Sequence, residues 1–316
     1  MKVSVVIPTY NREQVITKAI DSILNQTWTN VEVIVVDDGS TDNTSHALRR
    51  YGNRISYVRI DNSGAAAARN VGVMNSTSDL VAFLDSDDTW HPDKLSRQIE
   101  CINRTGARLC FCISTDDYGL ILDDLQLMDP GLPRHGMKIY NPGDCRMFRY
   151  ARHPFIQSLL VERDLLIKNG LFDSSLCVAE DTRLIYSLAL QHGYSVVNSA
   201  LVQISRHREC AGLSDSMEGS LALRRYECYA RVQAEIWPRV AALDEDAAEA
   251  VRSNYLYFLS RLAEIHCAMK TYDEAKRYAK EGLVMQSGWA SLCRNIMAIA
   301  APSFLHYYAA GKWQCR

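Results

Sequence analysis

Val31-Glu32-Val33-Ile34-Val35-Val36-Asp37-Asp38-Gly39-Ser40 begins as a β-branched run and ends in two acids, a glycine and a serine. Consecutive apolar residues from Val33 to Val36 predict a strand buried on both faces, and the polar end predicts a turn into the next element. The same pattern recurs on either side. Upstream, Val3-Ser4-Val5-Val6-Ile7 stops at Pro8-Thr9-Tyr10-Asn11. Glu13 to Gln26 follows with apolar residues at Val15, Ile16, Ala19, Ile20, Ile23 and Leu24, which is helical spacing. Downstream, Ser40 to Asp42 reads as a turn, Asn43 to Tyr51 as a helix, Ile55 to Ile60 as a strand and Gly64 to Asn75 as an alanine-rich helix. Leu80-Val81-Ala82-Phe83-Leu84 is a further strand, ending at Asp85-Ser86-Asp87-Asp88. Strands alternating with helices predict an α/β domain whose sheet is mostly parallel and covered on both faces. Ligands of such sheets sit beyond the carboxyl ends of the strands. Right-handed crossovers bring those ends to one edge, so the three polar clusters are expected to converge.

The rest of the chain is less regular. Cys110 to Ser114 reads as a strand, and Asp116 to Tyr150, with its Gly, Pro and Asp, as loops; His153 to Val161 and Ala179 to His192 carry the next signals. From about Ser216 the pattern is helical. Met217 to Ile236 is expected to end before Pro238, Asp244 to Ala268 has 3.6-residue periodicity, and Tyr272 to Glu281 resembles one unit of a helical hairpin. A boundary near Asp215 divides residues 1–214 from a helical part, 215–316. The 316 residues are 47% hydrophobic and 23% charged, which excludes a largely disordered or fibrous chain. A formal charge of −2 provides no global field for nucleic acid or anionic lipid. Ten cysteines without a C-x-x-C pattern read as reduced thiols of a cytosol, not as a disulfide scaffold. Val3 to Ile7 is too short for a signal peptide, and no stretch reaches the roughly 20 apolar residues of a membrane span.

Four segments in order resemble the inverting family 2 glycosyltransferases of GT-A fold. They are Val3 to Arg12, Val35 to Asp42, Ala68-Arg69-Asn70-Val71-Gly72, and Ala82 to Leu95, which includes Trp90-His91-Pro92-Asp93-Lys94. Gly170-Leu171-Phe172-Asp173 and Glu180-Asp181 complete the family order. The match covers roughly the first 210 residues and is most specific in the first hundred. It implies a nucleotide-diphospho-sugar transferase, with a Rossmann-like mixed sheet and a helical C-terminal part.

Each segment then takes an implied role. Asp85-Ser86-Asp87-Asp88 resembles the D-x-D region. A carboxylate cluster at a strand end is a hard-oxygen site for Mn²⁺ or Mg²⁺, with Asp87 and Asp88 as ligands and Asp85 and Ser86 against the donor; the plain alternative is a turn and helix cap. Asp38 would accept from the N–H of a uracil-like base, Pro8 and Tyr10 would flank it with Tyr10 stacking, and Gly39 would permit the tight turn. Arg69 would lie near the base or phosphates, or else form a structural ion pair. Asp181 would be the base that takes the acceptor's proton and Glu180 would position the acceptor, unless both are merely acids of a first helical turn. His207, in Ser205-Arg206-His207-Arg208, would reach the metal or diphosphate, or sit in an exposed basic turn. Trp90 lines the donor cleft or packs in the core.

The resemblance therefore implies a metal-dependent, inverting enzyme that moves a sugar from a UDP-sugar to a saccharide or lipid-linked saccharide in cell-surface polysaccharide or glycoconjugate synthesis. The absence of a Q-x-x-R-W motif points to single addition. A sugar nucleotidyltransferase would need a Gly-rich loop where Pro8 to Arg12 stands. A non-catalytic sugar-nucleotide-binding module would lack the carboxylates. The expected location is cytoplasmic. Gly282 to Arg316 is basic, aromatic and free of acids, which suits either peripheral contact with the inner membrane face or packing on the catalytic domain or on another subunit of a homo-oligomer.

Overall fold

Nine strands of one mixed sheet, counted among the described residues, organise the N-terminal unit of the computed structural model, which describes residues 1–122, 129–149, 154–205 and 219–284. The strands are β1 (Val3–Thr9), β2 (Val31–Asp37), β3 (Ser56–Arg59), β4 (Leu80–Phe83), β5 (Thr89–Trp90), β6 (Leu109–Asp116), β7 (Met137–Tyr140), β8 (Leu160–Glu162) and β9 (Tyr194–Ile204). They lie in the order β3-β2-β1-β4-β8-β6-β9-β5, with β7 also on β9. The first four strands pair in parallel, as their alternation with helices requires. β8 then runs antiparallel to both β4 and β6, and β5 and β7 run antiparallel to β9. The sheet is therefore mixed, as the resemblance implies, and not mostly parallel.

Register fixes which strand ends meet. Val3 faces Val31 and Thr9 faces Asp37, so β1 and β2 end side by side; Val6 faces Phe83. Helices α1 (Ile16–Leu24), α2 (Thr44–Leu48), α3 (Ala65–Asn75) and α4 (Lys94–Thr105) make the crossovers, followed by α5 (Arg163–Lys168) and α6 (Glu180–His192). Their apolar stripes account for the core. Val3, Val5, Ile7, Ile20, Val35, Ala82 and Leu95 are fully buried in one cluster, while Ile34, Val36 and Ala68 form another. Each buried Val, Ile or Leu among them contributes roughly 1.5–3 kcal/mol. Gly72 lets α3 lie against β1, because a Cβ there would stand 2.2 Å from Val6 Cγ1.

Two segments depart from the sequence reading. β7 lies inside the stretch read as loops, because a four-residue edge strand is too short to display a period. β9 is eleven residues long and buried along most of its length, so it lacks the alternation that marks a half-exposed strand.

A second unit comprises Phe148–Ala151, Cys177–Ala179 and Ala211–Arg316. Its described helices are α7 (Gly219–Ala241), α8 (Glu245–Ala268) and α9 (Tyr272–Val284). Asp244 caps α8 by accepting from Ala247 N–H at 2.9 Å. The helix expected to stop before Pro238 continues through it to Ala241. Proline removes one backbone donor and crowds the preceding turn, while Ile236 and Val240 on either side are fully buried.

Candidate active site

The β1 and β2 ends are laced together by short side chains. Asn11 adopts φ 53° and its N–H donates to Ser40 Oγ at 2.9 Å, while its Oδ1 accepts from Thr41 N–H at 2.8 Å. Asp37 is fully buried and accepts from Ser40 N–H at 2.7 Å, Tyr57 Oη at 2.6 Å and Arg59 at 3.2 Å. Gly39, at φ 82°, makes the turn; a Cβ there would come within 3.0 Å of Asn62 N. Asp38 accepts from the N–H groups of Ser63 at 2.7 Å and Gly64 at 2.8 Å, fastening the start of α3 to the end of β2. Pro8 is buried, and Tyr10 beyond it is 44% exposed.

The acidic turn after β4 is the most crowded part. Asp88 N–H donates to Asp85 O at 3.2 Å, closing a tight turn over Ser86 and Asp87. Asp88 is 3% exposed; its Oδ1 accepts from Ser205 N–H at 2.9 Å and its Oδ2 from Gln157 Nε2 at 2.7 Å. The same Gln157 nitrogen donates to Asp85 Oδ2 at 2.7 Å. Burial, with Asp85 and Asp87 close by, pushes the Asp88 carboxyl up to about 8, against the opposing pull of Ser205 and Gln157. Asp87 faces Arg12 at 3.7 Å, which brings the first loop against this turn.

Arg69 joins the acidic turn to the helix acids. It is 5% exposed and donates to Asp85 Oδ1 at 2.9 Å and Glu180 Oε1 at 2.7 Å. Burial alone would weaken its proton affinity, but Asp85, Glu180 and Asp181 raise it above the ordinary guanidinium value. The Glu180 carboxyl is raised by burial and by Asp181, with Arg69 opposing. Neighbouring Asn70 exchanges hydrogen bonds with the Phe172 backbone, at 2.8 and 2.9 Å, and Phe172 packs edge-on against Phe83 with ring centroids 5.1 Å apart. The Ala68 to Gly72 and Gly170 to Asp173 segments thus meet behind the acids. Arg69 thus makes ion pairs with both Asp85 and Glu180.

Behind the turn, Trp90 is a core residue whose Nε1 donates to Gln157 O at 3.1 Å. Lys94 is fully buried, its Nζ 3.9 Å from the Trp90 ring centroid and donating to Gln98 Oε1 at 2.7 Å. Burial lowers its ammonium to about 8. Gln157 has no sequence signal of its own, being a lone amide in Pro154-Phe155-Ile156-Gln157-Ser158. Its place is visible only once β8 has carried it beside β4.

The donor set fits a hard divalent cation. Among the described residues no three acids, histidines or cysteines converge as a ready-made cage. Mg²⁺-like ions, however, are usually held by one or two carboxylates completed by substrate phosphates and water. Asp85, Asp87 and Asp88 crowd one four-residue turn, and the Gln157 Oε1 is buried there without a partner. His207 and the segment around it lie outside the described residues, as do the expected domain boundary and residues 285–316 of the basic tail. Among the described residues no helix is long and apolar enough to cross a membrane.

Residues 4–132 match the model of glycosyl transferase family 2. An uncharacterized glycosyltransferase of Rickettsia typhi is 34% identical over 186 residues, 57% of this chain and 56% of that protein. The chain thus spans about half the length of such curated relatives. A putative teichuronic acid biosynthesis glycosyltransferase of Bacillus subtilis is 45% identical over 126 residues, 39% of this chain and 48% of that protein. Among solved structures, S. aureus TarS in complex with UDP aligns at TM-score 0.61 and 21% identity, covering 99% of this chain and 88% of the other. A mannosyltransferase from Pyrobaculum calidifontis with GDP-Man and Mn²⁺ aligns at TM-score 0.57 and 17% identity, covering 100% and 88%. The fold is GT-A.

Proposed function

We propose that this chain, whose residues 4–132 match the family 2 glycosyltransferase model, is an inverting, cation-dependent enzyme that moves a sugar from a nucleotide-sugar to an acceptor hydroxyl. The observation that carries this is Arg69, which binds Asp85 of the acidic turn and Glu180 of α6 at once. Through it, acids 95 positions apart in sequence flank one site.

The donor lies across the ends of β1, β2 and β4. Tyr10 stacks on the base, Pro8 backs it, and Asp38 accepts from a base N–H through lone pairs not used by Ser63 and Gly64. A uracil N3–H suits this acceptor, and UDP is the nucleotide the resemblance implies. Asp87 and Asp88 would hold Mn²⁺ or Mg²⁺, with Asp85 and Ser86 beside them; a divalent ion there supplies charge neutralisation for the departing diphosphate. His207 would be a further ligand of the ion or a contact of the diphosphate, as the resemblance implies. Arg69 keeps Asp85 and Glu180 in place. Asp181 takes the acceptor's proton as the acceptor oxygen attacks the anomeric carbon. The new C–O bond forms opposite the bond that breaks, the electron pair of the broken bond leaves with the nucleoside diphosphate, and the configuration inverts.

The Bacillus subtilis relative, by its name, supports a cell-surface saccharide as acceptor. Residues 215–316 are the part assigned to acceptor, partner or membrane-surface contacts. The test is a panel of nucleotide-sugars screened for thermal stabilisation with Mn²⁺, followed by transfer assays. A 100-fold excess over Kd corresponds to about 2.7 kcal/mol of stabilisation. Stabilisation by a UDP-sugar that requires Mn²⁺, with transfer lost in Asp181→Asn but binding kept, is the expected result. Full transfer by Asp181→Asn removes the assigned base, and no response to any donor removes the reading.

A further inference from the structure

Gln157 lies outside every motif above, yet its one amide nitrogen donates to both Asp85 and Asp88, at 2.7 Å each. The residue is 5% exposed, and its Oε1 is buried without a hydrogen-bond partner. Leaving an amide oxygen unpaired in a dry site is unfavourable, so something else fixes the side chain in this pose. The two acids do so: both accept from its amide nitrogen, at 2.7 Å each.

The backbone at Gln157 is held just as firmly. The Ile156–Ser158 turn is clamped by Trp90 Nε1 on Gln157 O at 3.1 Å and by Gln98 Nε2 on Ser158 O at 2.8 Å. Gln98 Nε2 also reaches Cys110 O at 2.9 Å, and its Oε1 is taken by buried Lys94. The Trp90 and Lys94 side chains of the family-like segment, together with Gln98 one turn further on, therefore act as a frame behind the acidic turn. The part of the frame that reaches the acids is Gln157.

We propose that Gln157 is a positioning residue for the divalent cation: its amide holds the Asp85 and Asp88 carboxylates together in the absence of the ion, so that the site forms before the ion arrives. The inference rests on reading Asp87 and Asp88 as the cation's ligands. Asp88, a ligand already held beside Asp85 by a neutral double donor, needs little rearrangement to receive a cation. Without the donor Asp85 remains tied to Arg69 and Asp88 to Ser205 N–H, but the two carboxyl groups no longer share a partner, and the ion must organise them itself. Groups that orient metal ligands typically change affinity 10–100-fold when removed.

The test is Mn²⁺ binding, by calorimetry with UDP present and by the melting temperature in EDTA and in saturating Mn²⁺, for wild type, Gln157→Ala and Gln157→Glu. Gln157→Ala is expected to bind Mn²⁺ at least tenfold more weakly. Gln157→Glu sets a third acid against two others. Its melting temperature should fall in EDTA and recover in Mn²⁺, giving a Mn²⁺-induced shift larger than that of wild type. Wild-type Mn²⁺ affinity in Gln157→Ala overturns the proposal, because a role confined to packing lowers stability and leaves the metal constant unmoved. A Gln157→Glu chain that Mn²⁺ fails to rescue overturns it as well. If wild type itself binds no Mn²⁺ with UDP, the cation reading of Asp87 and Asp88 fails first and takes this inference with it.

Discussion

Replacing Arg69 by methionine keeps most of the side chain's volume and deletes the one charge shared by Asp85 and Glu180. Two charge-assisted hydrogen bonds disappear, at 2.9 and 2.7 Å, and acids in a largely dry site lose their counter-ion. Breaking a buried pair in this way costs about 3–5 kcal/mol. For a unit of this size that lowers Tm by roughly 6–20 °C. The loss depends on pH, and its sign follows from Glu180. Burial and Asp181 already raise that carboxyl, while Arg69 pulls it down. Without Arg69 it rises further. An acid whose folded-state value lies above its unfolded value loses stability as pH climbs from the unfolded value through the folded one. The deficit of Arg69→Met is therefore larger at pH 8 than at pH 5, because it shrinks as the pH falls toward the unfolded carboxyl value of 4.5. Arg69→Lys, with its charge kept and its planar fork lost, should fall between the two. Melting curves of the three proteins across that range measure the effect. A deficit equal at pH 5 and pH 8, or none at pH 8, would refute the assignment of Arg69 as the shared counter-ion.

Two further outcomes follow from the packing. Lys94 is buried with its ammonium lowered to about 8 from 10.5, so relative to Lys94→Met the wild type should gain stability as pH rises from 7 to 10. The gap corresponds to about 2–3 kcal/mol by pH 10, at about 1.4 kcal/mol per pH unit. At pH 7 the variant should lie close to wild type, because the removed charge offsets the unpaired Gln98 oxygen; parallel pH profiles of Tm would show that Lys94 carries no such penalty. Gly72→Ala places a Cβ 2.2 Å from Val6 Cγ1. It should cost about 1–3 kcal/mol through overpacking between α3 and β1, visible as a lower urea midpoint, and an unchanged midpoint would mean that α3 shifts freely.

Local sequence was sufficient for the first four strands and their helices, because β-branched or apolar runs alternate with helically spaced stripes and the runs end at Pro or Asp. Those signals are local, and so is the placement of Tyr10, Asp38, Asp85 and Asp88 at strand ends. The family-like order of segments further indicated that Glu180 and Asp181 belong with them. What local sequence could not specify is partnership across the chain. The reversal of β8, which carries Gln157 beside Asp85 and Asp88, depends on pairings with β4 and β6 that leave no periodic trace in three residues. The uniform burial of β9 hides its period, and the passage of α7 through Pro238 accompanies buried residues on either side of it. Arg69 in isolation is a basic residue on an alanine-rich helix. Only the fold turns it into the counter-ion of Asp85 and Glu180, since periodicity records which face of an element is buried, whereas charge compensation is decided by whatever the folded chain places opposite that face.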